Sequence, residues 1–298
     1  MLKSGGVTEV MEEHLINKKV YAGIVTFNPN LKALEDNILS VYNQVNEIVL
    51  VDNGSENIDR ISEVVKQYRN IILIENHENK GIAYALNQLM NFGEMNLYSY
   101  MLTLDQDSKC PSDYIQDMLP FFNIDKRIAV VAPVIKDVNV GVVGHSPSPY
   151  GYVNTCISSG SVVSVEAWKE IGGYDELLFI DSVDFDFCYR LRKAKYLILQ
   201  TDKKYLIHEI GNGEVKKILF WKVNVTNHSP FRKYYISRNN IYYPLKNRMY
   251  IRFLRGIIRD IWLIFIVLFF EDCKVSKIKN IIKGMHDAFV IGKENNEN

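Results

Sequence analysis

The strongest constraint on the fold is a repeating order of short β-branched runs and amphipathic stretches that begins near Lys19 and continues to Ile135. The runs have the length and composition of strands, and the stretches between them carry apolar residues at helical spacing. This alternation is typical of a parallel sheet with helices on both faces and right-handed crossovers. The predicted strands are 19–27, 47–53, 71–76, 98–104 and 127–135, and the predicted helices are 31–44, 58–69, 83–92 and 112–122.

Composition narrows the class of protein. A chain of 298 residues with 47% hydrophobic residues can bury a substantial core, which excludes a disordered protein. Lys plus Arg equals Asp plus Glu at 35 each, so no overall charge directs the chain to nucleic acid. No metal-ligand spacing relates the four cysteines, and residues 1–18 hold no signal-peptide run. We therefore expect free thiols and a cytoplasmic protein.

The residues that follow the predicted strands are the functional candidates, because ligands bind parallel sheets at the carboxyl ends of the strands. Taken alone, the turn at Asp52 could be only a tight turn, and the Gly81 segment only an ordinary helix start. The candidates after the first three strands are Thr26, Phe27, Asn28, Asp52, Asn53, Asn79 and Gly81.

The fourth strand ends in the sequence LTLDQDS, with Asp105 and Asp107 on either side of Gln106. Like charges this close repel one another unless a cation lies beside them. Carboxylate oxygens suit Mg²⁺ or Mn²⁺, whose remaining ligands are usually water and substrate phosphates. The alternative is a helix cap, with Asp107 or Ser108 capping a helix that begins near Pro111.

The segments VDNGS, NKGIAYALN and LTLDQDS, in this order and at these separations, resemble the inverting family 2 glycosyltransferases. The resemblance extends over residues 19–192. It implies the GT-A fold, in which a Rossmann-like, mostly parallel sheet flanked by helices binds a nucleotide-diphospho-sugar. In this chain a helical C-terminal extension would follow.

The same resemblance assigns roles to the strand-end residues. It implies that Asp52 hydrogen-bonds the pyrimidine base, that Thr26–Asn28 line the nucleotide pocket, and that Asn79 to Gly81 border it. Asp105 and Asp107 would form the family's DxD motif, which holds Mn²⁺ or Mg²⁺ on the diphosphate.

Transfer with inversion also needs a base that removes a proton from the acceptor hydroxyl. The segment FIDSVDFD, residues 179–186, corresponds to the place where many members carry a Glu-Asp pair before a helix, but Val183 replaces the Glu here. The pattern resembles the rhamnosyltransferase-like subgroup and aligns Asp184 with the catalytic base, with Asp181 as the second candidate. Alternatively, these acids are only N-terminal charges favoured by the helix dipole.

Three further residues resemble the acceptor side of the family site, and one resembles a metal ligand. Gly160, Ser161 and Trp168 correspond to an acceptor-side loop and short helix. His208 stands where a histidine completes the metal site in related enzymes, although a lone histidine is often structural.

The stretch NHSPFRKYYISRNN is similar to one found in rhamnosyltransferase-like members. Arg238 with Asn239, or His228, could pair with the diphosphate, since a guanidinium group matches phosphate geometry. An exposed basic helix is the alternative.

The predicted function is metal-dependent transfer of L-rhamnose from dTDP-L-rhamnose to a saccharide or lipid-linked acceptor, for capsule, cell-wall or O-antigen polysaccharide. UDP-sugar donors (galactosyl, glucosyl or N-acetylhexosaminyl) come second, because Asp52 would read the pyrimidine edge that uracil shares with thymine. A non-catalytic nucleotide-sugar-binding protein is a third reading. The chain lacks the GxGxxG of nicotinamide dehydrogenases and the GxxxxGK[ST] of ATPases.

The C-terminal region differs in character from the rest. Residues 246–283 hold nine Lys or Arg against three acids, around the apolar run 261–270. That run is too short to cross a bilayer, but it suits a monotopic anchor on the cytoplasmic membrane surface. Packing against the catalytic domain or a dimer partner is the alternative. The expected organisation is an extension (1–18), a catalytic domain (19–230, with halves 19–110 and 111–230) and a helical region (231–298).

Overall fold

The computed structural model describes residues 19–137, 141–208, 214–218 and 221–294. The predicted extension 1–18 lies outside these residues. Two compact units divide the described chain. The first comprises residues 19–137, 141–175 and 187–208, and the second comprises residues 176–186, 214–218 and 221–294. The second unit thus combines the C-terminal helices with a short segment from the middle of the chain.

The first unit is built on a mixed sheet whose first four strands are parallel, in the spatial order β3-β2-β1-β4. This confirms the alternating pattern read from the sequence. These strands are β1 (Val20–Thr26), β2 (Glu47–Asp52), β3 (Ile71–Glu75) and β4 (Tyr100–Asp105).

Helices cover both faces of this parallel half, which explains why its central strands are apolar over most of their length. Every residue of β1 is buried. Ala22 and Ile24 belong to the core that includes the first two helices, whereas the Tyr21 hydroxyl donates to the Leu89 carbonyl of the third, at 2.7 Å. A Cβ atom at Gly23 would lie 2.7 Å from the Met101 sulfur, so a larger residue here would force the Met101 side chain to move.

The other strands make the sheet mixed. β8 is antiparallel to both β4 and β5, so the two predicted strands that it separates are not neighbours. β9 is parallel to β5. β7 pairs antiparallel with β9, and β6 pairs antiparallel with β5. Their bounds are β5 (Ile128–Asp137), β6 (Gly141–Val143), β7 (Tyr150–Tyr152), β8 (Val162–Ser164) and β9 (Leu197–His208).

The first four helices lie at the predicted positions, with one interruption. The predicted helix 112–122 is an α-helix that continues as a 3₁₀-helix over Leu119–Asn123, because Pro120 has no amide hydrogen to donate to the α-helical pattern. The α-helices are α1 (Leu31–Val41), α2 (Ile58–Val65), α3 (Ile82–Met95), α4 (Tyr114–Met118), α5 (Val165–Glu170) and α6 (Val183–Lys193).

The second unit is mainly helical. It contains a 3₁₀-helix (Glu176–Leu178), the hairpin β10 (Glu214–Ile218) and β11 (Trp221–Val225), and helices α7 (Pro230–Lys246), α8 (Tyr250–Phe270) and α9 (Lys274–Glu294).

A buried ionic group holds these helices together. Glu271 receives Lys233 Nζ at 2.6 Å and Lys277 Nζ at 3.0 Å. Burial alone would raise the pKa of Glu271, but the two ammonium groups outweigh it and the pKa lies below its usual value. The apolar run 261–270 forms the second half of α8. Among the helices that the structure describes, none is long and apolar enough to cross a membrane.

Candidate active site

The loops after β1 and β4 meet at the carboxyl edge of the sheet, where the strand order changes direction. The backbone amide of Phe27 donates to the side-chain carbonyl of Gln106 at 2.9 Å. The Phe27 ring is 45% exposed beside this contact. Such a switch point is where parallel sheets of this class bind ligands, so the predicted nucleotide loop stands at the expected place.

Asp52 lies at the centre of a buried hydrogen-bond network at the end of β2, which we call the Asp52 network. One carboxylate oxygen accepts hydroxyl hydrogen bonds from Thr26 at 3.0 Å and Ser55 at 2.5 Å. The other accepts the backbone amides of Gly54 at 3.1 Å and Ser55 at 2.8 Å. Asp52 is 0% exposed. A pyrimidine N–H can therefore bond this carboxylate only where one of the four donors gives way.

Asn28 joins the first loop to the second. Its backbone amide donates to the Ser55 hydroxyl at 2.7 Å, and its side-chain oxygen accepts the Glu56 amide at 2.8 Å. Asn28 adopts a φ of 48°, which asparagine tolerates better than most residues. The loops after β1 and β2 thus form one hydrogen-bonded edge.

Asn53 links this edge to the loop after β3. Its side-chain nitrogen donates to the Asn79 side chain and to the Gly81 carbonyl, both at 3.1 Å, and its oxygen accepts the Lys80 amide at 3.2 Å. Gly81 has a φ of 89° immediately before α3, a conformation that glycine adopts without strain. The sequence-predicted residues of the first three loops therefore lie together.

Asp105 ends β4, and Asp107 lies in the turn that follows. The backbone of Asp105 is fixed by the Asn37 side chain, which donates to its carbonyl at 2.6 Å, and by the Ser159 hydroxyl, which accepts its amide at 3.3 Å. The Asp105 side chain is half-buried and Asp107 is exposed. The turn thus presents acidic side chains at the switch point on a rigid base.

The chemistry of these two side chains fits a hard divalent cation. Carboxylate oxygens are ligands that Mg²⁺ and Mn²⁺ prefer, and substrate phosphates and water usually fill the remaining positions. In the described part of the chain no cluster of three or more His, Cys, Asp or Glu forms a closed protein site. His208 ends β9 with its backbone, but its side chain lies outside the described residues, so its predicted role is untested.

The three predicted acceptor residues are buried. Gly160 donates to the Thr103 carbonyl at 2.7 Å and accepts the Tyr114 hydroxyl at 2.6 Å, while the Ser161 hydroxyl donates to the Ile157 carbonyl at 2.7 Å. The indole nitrogen of Trp168 donates to the Asn87 side chain at 3.0 Å. The same Asn87 side-chain oxygen also accepts the Tyr174 backbone amide at 2.8 Å. These side chains shape the fold beneath the surface and present little to an acceptor.

Within the second unit, side chains of α7 donate hydrogen bonds to backbone carbonyl groups of the loop that precedes α6. The Asn239 side-chain nitrogen lies 2.7–2.9 Å from the carbonyl oxygens of Leu178, Ile180 and Asp181. The Arg238 guanidinium donates to the carbonyls of Leu177 and Leu178 and lies 4.6 Å from the centre of the Tyr235 ring. Arg238 is 6% exposed, so its contacts are mainly with this loop.

The same loop carries backbone strain. Phe179, Asp181 and Ser182 have φ values of 60°, 63° and 64°, a region that non-glycine residues enter at a cost of about 1 kcal/mol or more each. Strain that surrounding contacts maintain is common near functional residues. The contacts from Asn239 and Arg238 supply that maintenance here.

Two of the three candidate acids form ion pairs within the second unit. Asp181 receives Arg232 Nη2 at 3.2 Å, and Asp186 receives Lys246 Nζ at 3.3 Å and the Asn247 side chain at 2.9 Å. Asp184 lies half-buried in the first turn of α6. All three acids thus lie in the second unit, in the loop before α6 or in its first turn.

His228 lies just before α7 and close to the basic residues of its first turn. Burial, together with Arg232 and Lys233 nearby, lowers the pKa of His228 below its usual value. The predicted pairing of His228 with the diphosphate stays a prediction.

The comparison with protein families decides the classification. Residues 21–188, more than half of the chain, match the model of glycosyl transferase family 2. The chain belongs to this family. The resemblance that the strand-end motifs indicated is thus confirmed.

Curated relatives of this glycosyltransferase include a rhamnosyltransferase. This chain is 29% identical over 252 residues to the dTDP-rhamnosyl transferase RfbF of Shigella flexneri. The match covers 78% of this chain and 82% of the relative. The chain is 23% identical over 252 residues to the poly-beta-1,6-N-acetyl-D-glucosamine synthase of Staphylococcus aureus strain COL, covering 78% of this chain and 59% of that protein.

Solved structures confirm the GT-A fold of the glycosyltransferase. S. aureus TarS residues 1–349, in complex with UDP-GlcNAc, superimpose with a TM-score of 0.60 at 17% identity, covering 91% of this chain and 80% of that chain. GalNAc-T7 with UDP, GalNAc and Mn²⁺ gives a TM-score of 0.58 at 16% identity, covering 78% and 50%.

Several residues that build the glycosyltransferase site were missed by the motif reading. Ser159 and Ser108, whose hydroxyls lie 2.7 Å apart, support the acidic turn, and Asn37 holds it from α1. Asn87 joins α3 to Trp168 and Tyr174. Polar residues on the otherwise apolar face of a helix were the available signal for Asn37 and Asn87.

Proposed function

We propose that this glycosyltransferase moves L-rhamnose from dTDP-L-rhamnose to a saccharide or lipid-linked acceptor, with inversion, in the synthesis of a cell-surface polysaccharide. The observation that carries the proposal is the similarity to a dTDP-rhamnosyl transferase over most of both chains. The enzyme acts in the cytoplasm, at the inner face of the plasma membrane, where a lipid carrier would present the acceptor.

The donor site is the joined edge formed by the loops after β1, β2 and β3. The network of Asp52, Asn53 and Asn28 keeps the backbone of these loops in one arrangement before a ligand arrives. Preorganised loops lower the cost of binding because little side-chain ordering remains. The exposed Phe27 ring supplies an apolar surface for the base or the ribose.

Asp105 and Asp107 hold Mn²⁺ or Mg²⁺ against the diphosphate. The ion would supply positive charge where the departing nucleoside diphosphate gains negative charge. Gln106, between the two acids, keeps their turn attached to the Phe27 loop. The two carboxylates and the donor pocket are thereby held in a constant spatial relation.

Asp184 is the base that removes the acceptor proton. The resemblance to the rhamnosyltransferase-like subgroup aligns Asp184 with the family's base, and Asp184 lies half-buried in the first turn of α6. The strained Phe179–Ser182 loop and its Asn239 contacts fix the backbone from which α6 and Asp184 follow. A general base of this kind contributes on the order of 10²- to 10⁴-fold to the rate.

A UDP-linked N-acetylhexosamine donor is the second candidate. The poly-beta-1,6-N-acetyl-D-glucosamine synthase relative favours it, although this chain spans only 59% of that protein. Uracil and thymine present the same N3–H and carbonyl edge, so a contact with that edge alone does not distinguish the two bases.

A panel of donors tests the proposal. Thermal shift and donor hydrolysis are measured with dTDP-L-rhamnose, UDP-sugars and GDP-mannose, with and without Mn²⁺. We expect the largest shift with dTDP-L-rhamnose plus Mn²⁺, and an inverted anomeric configuration of the transferred sugar by NMR. A response to UDP-N-acetylglucosamine alone would establish the second candidate, and a response to GDP-mannose alone would contradict both.

A further inference from the structure

An exposed apolar surface runs along α8. We call it the α8 stripe. Its members recur at intervals of three and four residues, so they lie on one side of the helix. Ile251 is 70% exposed, Ile258 65% and Phe269 62%. The α8 stripe consists of Ile251, Leu254, Ile258, Trp262, Phe265 and Phe269.

The opposite side of α8 packs within the second unit and fixes the direction of the stripe. A Cβ atom at Gly256 would lie 2.1 Å from the Asn240 carbonyl oxygen, so α8 and α7 cross closely there. One turn later, the buried Asp260 accepts a hydrogen bond from the Asn240 side chain at 2.8 Å. Because these residues face α7, the α8 stripe faces away from it.

Arginines line one edge of the α8 stripe. Arg252, Arg255 and Arg259 are exposed, and helical spacing of about 100° per residue places all three on the same flank. The one acidic residue of α8, Asp260, is turned toward α7. The surface therefore combines an apolar face with a positive edge.

The dimensions match a helix that lies in a membrane interface. From Ile251 to Phe269 the stripe spans roughly 27 Å at 1.5 Å per residue. None of the helices in the described ranges has the length and apolarity to cross a bilayer. A large apolar face with aromatic residues, bordered by Arg, is the composition of helices that bind in the plane of an anionic bilayer.

Charge distinguishes a membrane from a second copy of the chain as the occupant. An anionic bilayer supplies an apolar layer for the stripe and negative headgroups for Arg252, Arg255 and Arg259. A second α8 stripe would bring the same apolar face and three more arginines, without an acidic group to pair with them. Complementarity therefore favours lipid.

We propose that the α8 stripe docks this glycosyltransferase on an anionic phospholipid surface, with α8 in the plane of the interface. This proposal adds a membrane partner to the proposed function, and it depends on that function only in assuming an acceptor carried on a lipid. Vesicle binding needs no donor and no turnover, so a failure of docking and a failure of the donor assignment are separate results.

Flotation with two kinds of vesicle tests the docking. The full chain is mixed with phosphatidylcholine vesicles, with or without phosphatidylglycerol. We expect the protein to float with the anionic vesicles and to bind the neutral ones at least roughly tenfold more weakly, since surface arginines each add attraction to anionic lipid. No flotation with either vesicle would overturn the proposal.

Variants locate the surface. Ile258→Glu with Phe269→Glu should weaken binding to anionic vesicles by at least roughly tenfold, and Arg255→Glu with Arg259→Glu should abolish the preference for anionic lipid. Met95→Glu, at an exposed apolar position in α3, is the matched control and should bind as the parent does. Circular dichroism and donor hydrolysis without vesicles verify that each variant is folded.

Equal flotation of the parent and the Ile258→Glu, Phe269→Glu variant would overturn the assignment to the α8 stripe. A parent dimer in light scattering that this variant converts to a monomer, without any vesicle binding, would show that a second copy covers the stripe instead.

Discussion

The side chain of Gln106 accepts the backbone amide of Phe27 at 2.9 Å, and this contact joins the loops on either side of the point where the strand order reverses. One loop carries the acidic turn, and the other lines the proposed nucleotide pocket. This side chain adds to the pairing of β1 with β4, which extends to Val25 and Asp105, in holding the proposed cation ligands beside the pocket.

Removing this contact should weaken donor binding more than turnover. Gln106→Ala loses one hydrogen bond, whose net contribution of about 0.5–1.5 kcal/mol corresponds to roughly a 2- to 12-fold rise in the KM for the donor. Steady-state kinetics with dTDP-L-rhamnose measures it, and Gln67→Ala, at a distant helix end, is the control. An unchanged KM would show that the two loops are held together without Gln106.

The Asp52 network should stabilise the folded protein as well as form part of the pocket. Thr26→Val removes a buried hydroxyl that donates to a carboxylate at 3.0 Å and keeps the shape of the side chain. Hydrogen bonds to charged groups are worth about 1.5–3 kcal/mol, so the free energy of unfolding should fall by about that amount. Urea denaturation measures it. Thr226→Val, at an exposed position, is the comparison.

The two candidate bases should respond differently to neutralisation. Asp184→Asn should lower kcat by roughly 10²- to 10⁴-fold, because it removes the proton acceptor, while leaving the Kd for dTDP unchanged. Asp181→Asn weakens a part-exposed ion pair with Arg232 and should lower kcat by less than roughly tenfold. Transfer rates and calorimetric titration with dTDP separate the two effects. The reverse order of losses would make Asp181 the base.

The stability of the second unit should depend on pH through Asp260. Burial raises the pKa of this carboxyl group to about 7, well above its value in an unfolded chain. The folded state then prefers the protonated form, so stability falls as the pH rises from about 4 to about 7 and stays low above that. The loss amounts to roughly 4 kcal/mol.

Asp260→Asn tests this dependence, because asparagine has nearly the same shape and no charge. The groups that face Asp260 are Asn240, which donates to it, and Arg259, whose charge opposes the shift. The variant should be more stable than the parent at pH 8 and similar at pH 4, as measured by the unfolding midpoint. A gain that is the same at both pH values would show that the carboxyl group does not titrate near neutrality.

The parallel half of the sheet was predictable because buried parallel strands carry long apolar runs, as β1 and β2 do before their polar ends. The position of the strand-end loops then follows from the rule for parallel sheets, which is why Thr26, Asp52 and Asp105 were found together. Short antiparallel strands such as Val162–Ser164 have too few residues to show the two-residue alternation that identifies a strand in a sequence.

The remaining site features have no local sequence signal. The Phe179–Ser182 loop adopts positive φ without a glycine, and Asn239 holds it through backbone carbonyls. Such acceptors are present at every residue and so leave no pattern. Trp168 is buried because Asn87, 81 positions earlier, accepts its indole hydrogen. The resemblance to the family indicated an acceptor role, but the tertiary contact determines its burial.

Titration of Mn²⁺ into the protein with dTDP, followed by electron paramagnetic resonance, tests the central claim that Asp105 and Asp107 hold a divalent cation on the diphosphate. We predict about one bound Mn²⁺ per chain, with affinity at least roughly tenfold weaker in Asp105→Asn with Asp107→Asn and unchanged in Asp59→Asn, an exposed acid in α2. Equal Mn²⁺ affinity in the parent and the double variant would contradict the account.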